Sequence, residues 1–542
     1  MSAEPGLTGR QYANKAKAAF PDVTRKDVNR CLYSSALFHT PGSEIPAWHV
    51  TANRPRARPA DVIQPPEPQH PRVGFAERGN SPFPAGYVAD AETKRGLSRW
   101  QLEAYESWVA NDRSGIVEAV TGAGKSRLAL AAIKEILTVG GRALVVVPSK
   151  ALLHQWASLI RTELPNQELG RLGAGHQVFA ARITVAVVHT LVRNLARFAD
   201  VALIVADEVH GYGAPVFATA LLSSSFGRLG LTATLERTDD AVDQVLRPYF
   251  GKSVYTCNFS TARRDGRIAP ARIALLGVPL AEDEREVHDE AVERKRMAKF
   301  ELTNNYGIEP KDNFFASVSR LAASDEGPAS EFARLYLAGR SAESNILANA
   351  RGKRRLVRKF SNLFKGDHRG LIFCERIAAA DEVADMLGQD GVRAKALTSR
   401  VPQPLRETYL SQLLTGEIDA VTCATALDQG IDIPDIDTAI IIGSNQQKRQ
   451  MIQRLGRALR TKRDNRSARI VIAYAMDTWE DPMTNGHRRE FVQIAKEAAE
   501  NLRDFGAEWS PREVFQFLDP ESESNARYAL SDELPMHTAL LA

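Results

Sequence analysis

Short apolar runs alternate with amphipathic stretches along most of this chain, and they do so in two series. The first occupies residues 96 to 240 or so, with strand candidates at Gly115–Val120, Ala143–Val147, Ile183–Val188, Leu203–Ala206 and Arg228–Leu231. The segments between them repeat apolar residues at helical spacing. Strands that are apolar on both faces, separated by helices, predict a parallel sheet covered on both sides. A second series begins at Gly370, with candidates at Leu371–Cys374, Ala394–Leu397, Ala420–Cys423, Ala439–Ile442 and Ile470–Ala473. Between the two, residues 281–360 are charged and helical in pattern, with little β character. The pattern therefore predicts an α/β fold: two tandem blocks, at 96–280 and 361–485, around a helical insertion. Residues 486–542 read as a helical extension with an acidic tail. At the other end, residues 1–52 read as a small folded unit. Residues 53–95 read as a linker, and eight prolines between 53 and 86 make it semi-rigid.

Chemistry enters where the first candidate strand ends. Val120-Thr121-Gly122-Ala123-Gly124-Lys125-Ser126 is a glycine-rich turn that opens the helical pattern RLALAAIKEIL. A strand–turn–helix of this kind aims backbone N–H groups at a phosphate chain, at the positive end of a helix. Gly122 and Gly124 let the backbone approach closely. Lys125 can reach the β/γ-phosphates of a nucleotide, and the Ser126 hydroxyl can hold Mg²⁺. The usual pattern has a glycine where Ala119 stands. Thr121, Gly122, Ala123, Gly124, Lys125 and Ser126 are the candidate ATP-binding residues.

Downstream, Leu203-Ile204-Val205-Ala206-Asp207-Glu208-Val209-His210 places two carboxylates at the end of an apolar strand. Parallel strands bring their C-terminal ends to one crevice. Asp207 can then help hold Mg²⁺, while Glu208 orients and deprotonates the attacking water. Gln453-Arg454-Leu455-Gly456-Arg457-Ala458-Leu459-Arg460 puts residues 453, 457 and 460 on one helix face. Arg457 and Arg460, planar and permanently charged, are candidate arginine fingers across a closing cleft.

Composition changes this picture little. At 542 residues, with 44% hydrophobic and 25% charged, the chain suits about three to four globular domains. A net charge of +4 says little about partners. Locally, Arg351-Gly352-Lys353-Arg354-Arg355-Leu356-Val357-Arg358-Lys359 is very basic, but such runs are most often solvated helix faces. No apolar run approaches the roughly 18 residues that cross a bilayer. The N-terminus lacks the apolar centre of a secretory signal. Cys31, Cys257, Cys374 and Cys423 are scattered, with no Cys-x-x-Cys pair. A reduced, cytoplasmic protein with no membrane attachment is expected.

Taken together these segments resemble a superfamily 2 helicase motor, which implies two RecA-like domains. Gln101 matches that family's adenine-reading glutamine. Ala119–Ser126 matches motif I, Val147-Pro148-Ser149-Lys150 motif Ia, and Asp207–His210 a DExH form of motif II. Thr232-Ala233-Thr234 matches motif III, Ile372–Glu375 motif IV, Thr425–Pro434 motif V and Gln453–Arg460 motif VI. The XPB-like group fits best, through Gly230–Asp240, Gly266–Pro270 and Leu280–Glu284. Its Arg-Glu-Asp element reads Arg237-Thr238-Asp239 here. The resemblance implies an ATP hydrolase moving 3′→5′ on DNA, with Lys150, Thr190 and Thr425 gripping one strand. It makes Asp432 a candidate for the ribose or for coupling. Restriction-enzyme motor subunits share the segments more loosely.

Residues 24–34 and 45–50 are similar to Z-alpha-type winged-helix domains. Arg25, Lys26, Asn29, Arg30 and Tyr33 would line a recognition helix, and Trp48 a wing, although Ile45 replaces the first wing proline. That implies binding to a duplex backbone; a plain duplex- or protein-binding winged helix fits equally. Two further readings stay open: an RNA-directed motor, and a strand-activated ATP switch that recruits a partner nuclease.

Overall fold

The computed structural model describes residues 79–520 apart from 180, 222–224, 236, 238, 311–313, 325–326, 367, 425–435, 444–454, 457–458, 460–466 and 484–487, together with three short strands before them. Those strands, β1 (Leu7–Thr8), β2 (Phe38–His39) and β3 (Ala47–Val50), pair antiparallel in the order β1-β3-β2. Arg25, Lys26, Asn29, Arg30 and Tyr33 lie outside the described residues, and Trp48 is described only as backbone in β3.

The first block is an eight-stranded sheet. Its strands are β4 (Ser114–Ala119), β5 (Ala143–Val147), β6 (Leu169–Gly173), β7 (His176–Gln177), β8 (Ile183–Val187), β9 (Leu203–Asp207), β10 (Gly227–Thr232) and β11 (Ser253–Cys257). They run in the order β11-β4-β10-β9-β5-β8-β6-β7, parallel throughout except for the β6–β7 hairpin. Alternate residues serve opposite faces, as the pleat requires. Val117, Val145, Val205 and Leu231 join the core under the phosphate-loop helix, while Ile116, Leu144, Val146 and Ile204 face the other layer.

The second block has seven parallel strands. These are β12 (Ala271–Val278), β13 (Gly370–Phe373), β14 (Ala394–Leu397), β15 (Ala420–Cys423), β16 (Thr438–Ile441), β17 (Ala468–Ala475) and β18 (Asn501–Asp504), in the order β14-β15-β13-β16-β17-β12-β18. Here the structure departs from the expected boundary at residue 280. β12 belongs to the second sheet, where all eight of its residues pair with β17. Its burial is near complete, so it needs strand neighbours on both sides and finds them in β17 and β18. The chain crosses between blocks just before it. Ala269 N–H donates to Leu459 O at 2.7 Å, and Ala468 N–H to Pro270 O at 2.7 Å. The extension after 486 is likewise not all helical, because β18 extends the sheet edge and the helix Pro511–Leu518 covers β12.

The insertion is helical as the pattern predicts, with Glu282–Asn304, Phe314–Ala323, Pro328–Ala348 and Arg351–Lys359. Leu302, Ile308, Val318 and Ala333 form a small core of its own. The basic run forms the last of these helices, tied to acidic neighbours. Lys353, 1% exposed, pairs with Glu480 at 2.5 Å; Arg354 pairs with Glu382 at 2.6 Å and Arg358 with Asp390 at 2.8 Å. Among the described residues no helix is long and apolar enough to cross a membrane.

Candidate active site

β4 lies between β10 and β11, and its C-terminal end opens beside the ends of β9 and β10. The turn after β4 holds Gly122 at φ 88° and Gly124 at φ 93°, conformations that favour glycine. Gly124 has a second reason to lack a side chain: a Cβ there would lie 2.7 Å from Gln101 Nε2. The helix Lys125–Thr138 follows, with Lys125 and Ser126 in its first turn. Lys125 Nζ donates to Ala119 O at 2.8 Å, which folds the ammonium back over the loop. The Thr121 hydroxyl is buried with no hydrogen-bond partner among the described residues.

Gln101 is fully buried beneath this turn. Its Oε1 accepts from Ser98 N–H at 2.9 Å, closing a capping box. Its Nε2 donates to Gly124 O at 3.0 Å and Ala123 O at 3.4 Å. The residue expected to read a base thus also braces the loop that would hold the phosphates.

Asp207 ends β9, two strands from the phosphate loop. It accepts from Trp156 Nε1 at 2.8 Å and from Glu208 N–H at 3.0 Å. Burial pushes its carboxyl above the ordinary range, opposed by the Trp156 bond and by the positive charge of Lys125. Glu208 sits at φ 53° and ψ 49°, a region non-glycine residues seldom occupy. Strain of that kind aims a side chain where the strand alone would not. His210 Nδ1 lies 3.5 Å from Glu208 Oε2 and 3.1 Å from Thr232 Oγ1. Because the Thr232 hydroxyl donates to Thr234 O at 2.6 Å, it accepts from His210. Arg237 grips both oxygens of Asp239 at 2.6 Å and donates to His210 O at 2.5 Å, so this arginine braces the turn after Glu208.

Ser126 and Asp207 offer only hard oxygen donors. That set fits Mg²⁺, which keeps most of its shell for water and phosphate and uses one or two protein oxygens. Among the described residues no cluster of three or more His, Cys, Asp or Glu could hold a metal by itself.

Lys150 begins the helix Lys150–Glu163 just after β5, and Thr190 lies in the turn after β8. Both therefore sit on the same C-terminal edge as Asp207. Thr425, Asp432, Gln453, Arg457 and Arg460 lie outside the described residues. Their neighbours are informative. Leu455 and Leu459 are buried in the core that also contains Ala119, Val120 and Ala123. A Cβ on Gly456 would come within 2.4 Å of Thr121 O. The Gly456 backbone thus lies directly against the phosphate loop. Trp156, which orients Asp207, was not singled out from the pattern; an indole on the apolar face of the motif Ia helix reads there only as core.

Residues 94–237 match the family described as "Type III restriction enzyme, res subunit", and residues 352–462 the "Helicase conserved C-terminal domain". The chain is 30% identical over 370 residues to a protein named DNA 3'-5' translocase XPB2 from Sulfurisphaera tokodaii, covering 68% of this chain and 79% of that one. It is 25% identical to DNA 3'-5' helicase XPB from Mycobacterium tuberculosis, over 75% of this chain and 66% of that one. Among solved structures, S. cerevisiae Dbp5 bound to RNA and ADP BeF3 superposes with a TM-score of 0.50 at 12% identity, covering 84% of this chain and 98% of that one, a likeness of fold alone.

Proposed function

This chain belongs to the XPB-like group of superfamily 2 DNA helicases and translocases, and we propose that ATP hydrolysis at the seam of its two α/β blocks drives 3′→5′ movement along one DNA strand. The observation that carries this reading is the contact of Gly456 with Thr121. It brings the motif VI backbone of the second block against the phosphate loop of the first.

In this reading the loop N–H groups and Lys125 hold the β/γ-phosphates, and Gln101 meets the adenine edge. Ser126 and Asp207 would hold Mg²⁺, which when bound neutralises charge on the phosphates. Glu208, fixed by its backbone conformation and His210, takes the proton of the attacking water. Arg457 and Arg460, with Gln453 beside them on the helix face, stabilise charge on the transferring phosphoryl group. Asp432 serves the ribose or the coupling of the two blocks. Lys150 and Thr190 on one block and Thr425 on the other grip phosphates and sugars, which gives movement without sequence preference. Closure around ATP and opening after hydrolysis shift one block along the strand. The N-terminal unit, through Arg25, Lys26, Asn29, Arg30, Tyr33 and Trp48, adds affinity for duplex; its antiparallel three-stranded pairing supports that assignment.

The test is ATP turnover by the full chain with single-stranded, duplex and forked DNA and matching RNA, alongside strand displacement. Single-stranded and forked DNA are expected to stimulate turnover, and Glu208→Gln to bind ATP while turning it over about 10²–10⁴-fold more slowly. Stimulation by RNA alone would replace DNA as the track. Hydrolysis without displacement would make the chain a strand-activated switch for a partner such as a nuclease. Normal turnover in Glu208→Gln would refute the assigned base.

A further inference from the structure

Glu118 is a half-buried charged residue next to the last position of β4, an interior parallel strand. Its neighbours Val117 and Ala119 are fully buried, and β4 is flanked by β10 and β11. A carboxylate at such a place is costly unless its oxygens find donors. Both do. Oε2 accepts from Leu235 N–H at 3.1 Å, and Oε1 accepts from Ser253 Oγ at 2.5 Å.

The Leu235 N–H belongs to the same peptide group as Thr234 C=O, and that carbonyl is also held. Thr232 Oγ1 donates to it at 2.6 Å and accepts from His210, which lies beside Glu208. One peptide plane is therefore clamped at both ends. Its oxygen is tied through Thr232 to His210, whose ring lies 3.5 Å from the carboxylate assigned as general base. Its N–H is tied to a strand that runs straight into the phosphate loop. Rotating this peptide breaks both attachments together. The same peptide closes the segment Thr232–Thr234.

We propose that Glu118 is a positioning residue that locks the Thr234–Leu235 peptide, so that the Glu208–His210–Thr232 chain and the phosphate loop move as one body when a nucleic-acid strand binds. This rests on the motor reading above. Ser253 steers the carboxylate by holding its second oxygen. Charge-assisted N–H···O bonds are the stronger kind, so a carboxylate suits a joint that must transmit movement. The claim is one of coupling and requires a coupling measurement.

The experiment measures kcat and KM for ATP in the full chain, with and without single-stranded DNA, for wild type, Glu118→Ala, Glu118→Gln and Glu118→Asp. The alanine variant is expected to lower strand-stimulated kcat by about tenfold while KM for ATP shifts by less than about twofold, the mark of an interaction felt in the transition state rather than in binding. Glutamine retains an acceptor for Leu235 N–H, so Glu118→Gln is expected within about threefold of wild type. Aspartate is shorter and cannot reach both donors, so it is expected between the two. If the alanine variant does not fold, the Gln and Asp variants carry the comparison, and hydrogen exchange at Leu235 is expected to quicken in Glu118→Asp. Equal losses in Glu118→Ala and Glu118→Gln, a raised KM with unchanged kcat, or unaltered stimulation in Glu118→Ala each overturn the proposal. If no nucleic acid stimulates the wild-type chain, the motor reading itself fails, which is a different result from a stimulated wild type matched by its alanine variant.

Discussion

Gly456→Ala adds a single methyl group at the seam between the two blocks, and its consequence can be worked from the structure. The new Cβ would stand 2.4 Å from Thr121 O, 2.6 Å from Thr121 Cβ and 2.9 Å from Thr121 C. Ordinary contact begins near 3.4 Å, so the motif VI segment must withdraw from the phosphate loop by about 1 Å. The obstacle includes the backbone of the loop that cradles the phosphates, and that backbone has no rotamer to turn aside. Leu455 and Leu459, buried in the core that contains the loop residues, flank Gly456 in sequence, and the proposed finger Arg457 follows it directly in the chain. A misplacement of about 1 Å in a catalytic group can cost ~10²-fold in rate, or about 2.7 kcal/mol of transition-state stabilisation at 1.36 kcal/mol per tenfold. The assay is steady-state ATP turnover with saturating single-stranded DNA, beside binding of a fluorescent ATP analogue and a thermal melt. Turnover is expected to fall about a hundredfold. The melt serves to show that the variant is folded; some loss of stability is expected, because Leu455 and Leu459 share a core with Ala119, Val120 and Ala123. Binding of the analogue should be largely kept, because Lys125 and the loop belong to the first block. A variant that turns over ATP within about threefold of wild type would refute the placement of motif VI against this loop, and with it the finger assignment.

Two further expectations follow from buried charges. Burial raises the Asp207 carboxyl, so its protonation favours the nucleotide-free fold, and that contribution is lost as pH rises through the raised value. Wild type is therefore expected to lose stability against Asp207→Asn as pH rises from the ordinary carboxylate range, as read from paired melting curves without nucleotide; parallel curves would show that Asp207 titrates normally. Lys353→Met leaves Glu480 buried without its cation and is expected to destabilise the chain by about 3–5 kcal/mol in denaturant unfolding. DNA affinity per folded molecule should be unchanged; reduced affinity with wild-type stability would make the basic helix a phosphate contact after all.

The two-block architecture was legible because fully buried parallel strands write themselves as uninterrupted apolar runs. Ala143–Val147 and Ala420–Cys423, buried throughout, coincide with the observed strands, as does the less buried Ala394–Leu397, and the other candidates differ by a residue or two at one or both ends. What the pattern does not carry is partnership. Ala271–Val278 is apolar enough to be a strand of either sheet, and only its pairing with Ala468–Ala475, far along the chain, assigns it to the second. Asn501–Asp504 is mostly exposed at a sheet edge, so nothing in its side chains advertises a strand. The glycine-rich turn between strand and helix and the two carboxylates at a strand end were legible from spacing, since both are local. Trp156 and Glu118 were not, because each acts through a hydrogen bond to a residue distant in sequence. An indole in a helix reads as core, and a glutamate in an apolar run reads as a blemish.

The misassigned strand matters for how the molecule can move. With β12 in the second sheet, residues 258–270 form the covalent connection between the sheets, and the insertion both leaves from and returns to the second block. Its two ends are clasped together there. Arg351 pairs with Asp283 and with Glu284, joining the start of the last insertion helix to the start of the first, and Lys353 pins that last helix to Glu480 after β17. Any rotation of the second block relative to the first would therefore carry both roots of the insertion with it. The first block is left with the phosphate loop, both carboxylates and the clamped Thr234–Leu235 peptide. In the proposed motor the segment around Gly456 is among those that must approach or withdraw for the site to be completed or undone, and this is why a methyl group at that position is expected to weigh so heavily.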